Sequence, residues 1–287
     1  MSVCLAATWN PRGEMPRFQR LLANLERVYA SIVISFPPHA EQQVLELFTS
    51  GEYCSRSNIL IIHNHTWAWG RYAALQKALE TPAAQIHYAD MDRLLRWVET
   101  RPEEHLRALQ TMEKVDYLLM GRSEAAYRTH PQAMIQTEAI SNQVISRLIG
   151  QAVDVSAGSK GFSRCAATFL IENTKPERAI GTDGEWTVLL HRAGFLINYL
   201  EVDGLDWESA DRYQDCAAGS EAQQAAAQAY DIEPDNWAAR VGIAMEIIQS
   251  GLDAAVRYLP GRPALALAEP EVMQRMSQRP APNKAEI

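Results

Sequence analysis

The sequence predicts an α/β protein: a mostly parallel central sheet with helices on both faces, followed by a helical C-terminal extension. Three observations carry this expectation. Five apolar runs of strand length recur within residues 3–120, and segments with apolar residues at three- and four-residue spacing lie between them. Beyond about residue 210 only helical pattern is left. Alternating strand and helix is the signature of parallel strands joined by crossover helices, which cover both faces of the sheet.

The expected strands are 3–7, 32–36, 59–63, 85–89 and 117–120, each a short apolar run that turns polar at its end. Helices are expected over 16–30, 40–50, 69–80 and 91–110. A long helix follows at 132–149, then a turn-rich loop at 154–163 that leads into a helix at 164–172. Gly181-Thr182-Asp183-Gly184-Glu185-Trp186 opens another helix, and 195–202 reads as a further strand. The Ala- and Gln-rich remainder predicts amphipathic helices near 220–230 and 235–258. The expected organisation is a main domain at 1–208, a helical extension at 209–262 and a flexible, proline-containing tail at 263–287.

At 287 residues the chain can bury a core without disulfides. A formal net charge of −8 argues against a surface that tracks a nucleic-acid backbone. Cys4, Cys54, Cys165 and Cys216 are scattered singly and read as reduced, mostly buried thiols. No stretch approaches the ~20 apolar residues that span a bilayer, and residues 1–14 lack a signal-peptide pattern, so a cytoplasmic protein is expected.

In a sheet of this kind, ligands bind beyond the carboxyl ends of the strands. Those turns hold Thr8-Trp9-Asn10-Pro11-Arg12, His63-Asn64-His65, Asp90-Met91-Asp92 and Gly121-Arg122-Ser123. Asp90 and Asp92 stand one residue apart at a strand end, where two carboxylates can face one hard divalent cation; either can instead cap the helix that follows. Arg71 and Arg122 could supply a guanidinium to a departing diphosphate, and Lys160, flanked by Gly158 and Gly161, could contact phosphate. Asp183 and Glu185 stand at a helix start, where one could accept a proton or merely cap. Trp67, Trp69 and Tyr72 could stack on a base or sugar, or simply pack in the core.

Four segments together carry a resemblance: Ala6-Ala7-Thr8-Trp9-Asn10-Pro11; Asn64 through Gly70-Arg71-Tyr72-Ala73-Ala74-Leu75; Tyr88-Ala89-Asp90-Met91-Asp92; and Gly181 to Trp186. In this order the chain resembles glycosyltransferases of the GT-A fold, a Rossmann-related architecture, over about residues 1–205. The resemblance implies metal-dependent transfer of a sugar from a nucleotide-diphosphate donor to an unknown acceptor. Asp90 and Asp92 would bind Mg²⁺ or Mn²⁺. Thr8, Asn10, Pro11, Asn64, Gly70, Arg71, Asp90, Arg122 and Lys160 would bind the nucleotide-sugar donor. Asp183 or Glu185 would face the acceptor, with His191 and Glu208 as candidates for a later metal ligand. The C-terminal extension would serve as an acceptor lid or a homodimer contact.

Two rival readings stay open. His63 and His65, two apart on a strand, present both imidazoles to one face, as in metal-dependent hydrolases. The same fold could also belong to a non-catalytic nucleotide-sugar-binding protein.

Overall fold

The computed structural model describes residues 2–259. Their elements run β1 (Val3–Thr8), α1 (Met15–Val28), β2 (Ser31–Phe36), α2 (Gln42–Thr49), β3 (Ile59–His63), α3 (Gly70–Ala78), β4 (Gln85–Asp90), α4 (Met91–Thr100) and α5 (Pro102–Met112). There follow β5 (Tyr117–Arg122), α6 (Glu124–Tyr127), α7 (Gln132–Ile149), β6 (Ser159–Ser163), α8 (Arg164–Asn173), α9 (Thr182–Ala193), β7 (Ile197–Val202), α10 (Ser220–Ile232) and α11 (Pro234–Val256). The expected tail at 263–287, and residues 260–262 of the expected extension, lie outside the described residues.

The strands form one sheet in the order β3-β2-β1-β4-β6-β5-β7, parallel except for β6, which runs antiparallel to both β4 and β5. The fold class expected from the sequence is therefore the one observed. One face is covered by α1, α2, α4 and α5. Phe18, Leu22 and Leu25 of α1 and Leu94, Leu95 and Trp97 of α4 recur at helical spacing and pack there against Leu5, Ile32 and Ile34. On the other face Leu75 of α3, Leu170 of α8, Trp186 and Leu189 of α9 and Ile247 of α11 pack against Ala6, Val33, Ile86 and Tyr88. Each fully buried Leu or Phe contributes about 1.5–3 kcal/mol. Helix α11 is thus part of the second core, not an arm held away from it.

Three expectations are corrected. The segment read as a turn-rich loop contains β6, whose sequence Ser-Lys-Gly-Phe-Ser has too few apolar residues to show a strand period. The single helix expected at 91–110 is two, because Pro102 disfavours helical backbone at Arg101, which sits at φ −142°, ψ 59°. Of the four cysteines only Cys4 is buried.

Parallel register aligns the strand ends: Ser35, Thr8 and Asp90 stand side by side at the carboxyl edge of β2, β1 and β4, with Phe36 opposite His63. This edge floors the cleft described next. Among the described residues, no helix is long and apolar enough to cross a membrane.

Candidate functional site

A cleft of about 330 Å³ opens over that edge. Its lining takes Thr8, Asn10, Ser35, Pro37 and Trp67 from within and after β1, β2 and β3, together with Arg71, Asp90, Asp92 and Arg93. Ala179 and Ile180 before α9, Glu208 and Arg212 after β7, and Arg240 and Ile243 of α11 complete it.

Asp90 ends β4 and is held from three directions. Its Oδ1 accepts from the Tyr88 hydroxyl at 2.6 Å and Thr8 Oγ1 at 3.1 Å, and its Oδ2 accepts from Arg71 NH2 at 3.3 Å. Burial alone would raise its carboxyl, but the Arg71 and Arg93 guanidiniums outweigh burial and hold it below the usual range. Asp92, in the first turn of α4, accepts among the described residues only from the backbone N–H of Arg93 at 2.9 Å and has Arg12 NH2 at 3.7 Å. Burial, then the negative charges of Glu208 and Asp90, push its carboxyl up to about 6. Glu208 is 7% exposed; its Oε2 makes no hydrogen bond with any described residue and lies 3.6 Å from Arg93 Nε.

These observations test whether a cation fits. A carboxyl whose proton affinity is raised by burial and neighbouring acids, beside a second carboxylate with an orphaned buried oxygen, is what a divalent ion would relieve. Among the described residues no three His, Cys, Asp or Glu side chains are grouped to hold a metal by themselves. The donor set therefore suits a hard ion that completes its shell with ligand and water oxygens, as Mg²⁺ does with phosphates.

Arg71 links Asp90 to a second layer. Its NH1 donates to Asp183 Oδ1 at 2.6 Å, and the same oxygen accepts from Lys160 Nζ at 2.5 Å. Burial, helped by Arg71, pushes the Lys160 ammonium below its ordinary value, and Asp183 opposes this. Asp183 is 2% exposed and stands behind Arg71, not in the cleft. Its geometry is that of a counter-ion which fixes Arg71, and Arg71 in turn braces Asp90.

The cleft brings together Thr8, Asn10, Trp67, Gly70, Arg71, Asp90, Asp92 and Glu208 of the residues singled out in the sequence. It does not bring in the others. Pro11 is buried outside the lining. Asn64 is buried and donates to Ser35 Oγ at 2.6 Å and the Phe36 carbonyl at 2.9 Å, so it sets the end of β2 and does not face a ligand. Arg122 is wholly enclosed in an ion cluster, with Nε 2.7 Å from Asp154 Oδ2 and NH2 2.6 Å from Glu138 Oε2, and cannot reach a donor. Lys160 is enclosed by Asp183 and the Val155 carbonyl. Glu185 accepts from Arg257 NH2 at 2.5 Å in a separate polar pocket between α9 and α11. His63 and His65 are exposed and outside the cleft, and His191 of α9 lies outside it as well, whereas Glu208 lines it.

Several lining residues escaped the sequence reading. Arg12 ends the first turn singled out and Arg93 adjoins the Asp90-Met91-Asp92 turn, so proximity could have flagged them. Arg212 and Arg240 carry no such signal: one lies in an aperiodic loop, the other on an amphipathic helix. Trp67 is 54% exposed at the rim and stacks on His39 at 5.9 Å, and His39 Nε2 lies 3.2 Å from Asn10 Nδ2.

No protein-family model matches the chain, and no curated protein matches it in sequence. Some solved structures align with it. TarS of S. aureus aligns with a TM-score of 0.43 and 12% identity over 89% of this chain and 73% of its own. Glucosyl-3-phosphoglycerate synthase from Mycobacterium tuberculosis, in complex with Mn²⁺, uridine-diphosphate-glucose and phosphoglyceric acid, aligns at 0.43 and 10%, over 84% and 80%. The mannosyltransferase PcManGT from Pyrobaculum calidifontis, in complex with GDP-Man and Mn²⁺, aligns at 0.44 and 12%, over 90% and 76%.

Proposed function

We propose that the chain is a glycosyltransferase that moves a sugar from a nucleoside-diphosphate donor to an acceptor with the help of Mg²⁺ or Mn²⁺. The observation that carries this reading is the crowding of Asp92 and Glu208 beside Asp90 in a cleft at the sheet's carboxyl edge. Asp92 and Glu208 would hold the cation, which supplies positive charge to a diphosphate as it departs. Arg71 and Arg12 face the same space and would add guanidinium donors to the developing charge. Trp67 offers an exposed ring in the cleft lining, suited to stack on the donor's base. Thr8 and Tyr88 orient Asp90, and Asp183 orients Arg71.

One observation favours a second reading, a nucleotide-sugar binder without turnover: neither Asp183 nor Glu185 lines the cleft, so neither stands ready as a base. Release of free or transferred sugar from a labelled donor separates the two.

The reading is tested by thermal shift against a panel of nucleotide sugars, each with and without Mn²⁺. A donor present at 100 times its Kd should stabilise the fold by ~2.7 kcal/mol. The expected result is a shift with one donor that requires the metal. Absence of a shift with every donor, together with stabilisation by Zn²⁺ alone, would instead favour the hydrolase reading on His63 and His65.

A further inference from the structure

An acceptor role for this part of the cleft rests on the transferase reading, whereas the anion site itself stands on its own geometry. The cleft lining carries five guanidiniums, from Arg12, Arg71, Arg93, Arg212 and Arg240, against three carboxylates, from Asp90, Asp92 and Glu208. In a chain of formal net charge −8 this is a local reversal of sign. Most of these arginines are engaged. Arg71 holds Asp90 and Asp183, Arg93 lies beside Glu208, and Arg12 lies beside Asp92. Arg212 differs: among the described residues its guanidinium makes no hydrogen bond or ion pair.

Arg240 lines the same cleft. Its Nε donates to the Tyr230 hydroxyl at 3.1 Å, its NH1 lies 3.6 Å from Glu138 Oε1 and its Cζ lies 5.9 Å from the Tyr230 ring centroid; among the described residues its NH2 makes no hydrogen bond. Ala179, Ile180 and Ile243 also line the cleft, an apolar contact for the uncharged part of a small molecule. Together with Arg212 and Arg240 they come from the segments before α9, after β7 and on α11, whereas Asn10, Pro37 and Trp67 follow β1, β2 and β3, so a donor on Trp67 and Asp92 would use other lining residues.

We propose that Arg212 and Arg240 hold the acceptor, and that the acceptor is a small oxyanion, a molecule bearing a phosphate or carboxylate. A guanidinium presents a planar fork of donors that matches either group, and an unpaired one in a partly enclosed cleft gains most from an anion. Burial and the nearby charge of Arg12 push the Arg212 guanidinium below its ordinary value, a cost that an incoming anion relieves.

The probes are inorganic phosphate and acetate, titrated into the full chain alone and in the presence of Mn²⁺ with UDP or GDP. Wild type is compared with Arg212→Gln and Arg240→Gln, after a check that unfolding midpoints are unchanged. The expected result is that one of the two anions binds with or without nucleotide, and that each variant weakens it about tenfold. Nucleotide affinity in Arg212→Gln should stay within about twofold. The tighter of the two anions names the acceptor's group. Displacement of the nucleotide by the anion, or an Arg212→Gln loss that falls on the nucleotide, would assign Arg212 to the diphosphate and overturn the proposal. Failure of both anions to bind would overturn it too. Binding of an anion as expected with no nucleotide bound under any condition would remove the transferase reading and leave the anion site intact.

Discussion

At the scale of single residues, Asp183 carries the sharpest consequence. It lies two positions from Glu185 on α9, and two positions on a helix of 3.6 residues per turn diverge by about 200°. One carboxylate therefore turns in to Arg71 and Lys160 and the other out to Arg257. The sequence shows two acids at a helix start and cannot show that they part company. Asp183→Asn leaves the buried Lys160 without its paired carboxylate and Arg71 with Asp90 alone, so a stability loss of about 3–5 kcal/mol is expected, read as a lower urea midpoint. An unchanged midpoint would refute the counter-ion role. Arg122 was illegible for a similar reason: its partners, Asp154 and Glu138, come from distant segments, and no local pattern announces a buried ion cluster. Asp90 and Asp92 were legible because strand-end position and spacing are local properties.

Among the elements, the parallel strands could be read directly, since buried parallel strands are nearly continuous apolar runs. Strand β6 could not, because its pairing with β4 and β5 is nonlocal and its Lys160 is buried only by virtue of Asp183. The turn before β6 also shapes the site. Gly158, at φ +76°, donates no side chain where a Cβ would lie 2.5 Å from Asp90 Oδ2, and its carbonyl accepts from the Asp90 N–H at 3.0 Å. Gly158→Ala should cost about 1–2 kcal/mol in backbone strain and also weaken metal-dependent nucleotide binding by displacing Asp90. Gly150→Ala is the control: at φ +71° with nothing within 4 Å of a Cβ, it should cost similar stability and leave binding intact. Equal binding in both variants would detach this turn from the site.

For the whole molecule, the two cores on either face of the sheet fix the cleft, and one of them contains a pH-sensitive element. The Tyr29 hydroxyl lies between His87 Nδ1 at 2.6 Å and His105 Nε2 at 2.7 Å, all buried. Burial holds His105 down to about 4 and drives His87 down as well, with the charge of His105 adding to it. A histidine kept neutral in the fold takes up a proton in the unfolded chain once pH falls below about 6.5. Stability is therefore full above that value and falls as pH drops toward about 4, by about 3 kcal/mol for His105. Urea midpoints at pH 7 and pH 5 should differ less in His105→Gln than in wild type; an equal drop would place the acid sensitivity elsewhere.

We propose that Asp92 and Glu208 share a divalent cation with a nucleotide ligand. Calorimetric titration of Mn²⁺ with the selected nucleotide into wild type, Asp92→Asn and Glu208→Gln tests it most directly. Each variant is predicted to lose at least about tenfold in metal-dependent nucleotide affinity while its unfolding midpoint is unchanged or raised, since each removes a like-charge repulsion. Wild-type affinity in both variants would contradict the account.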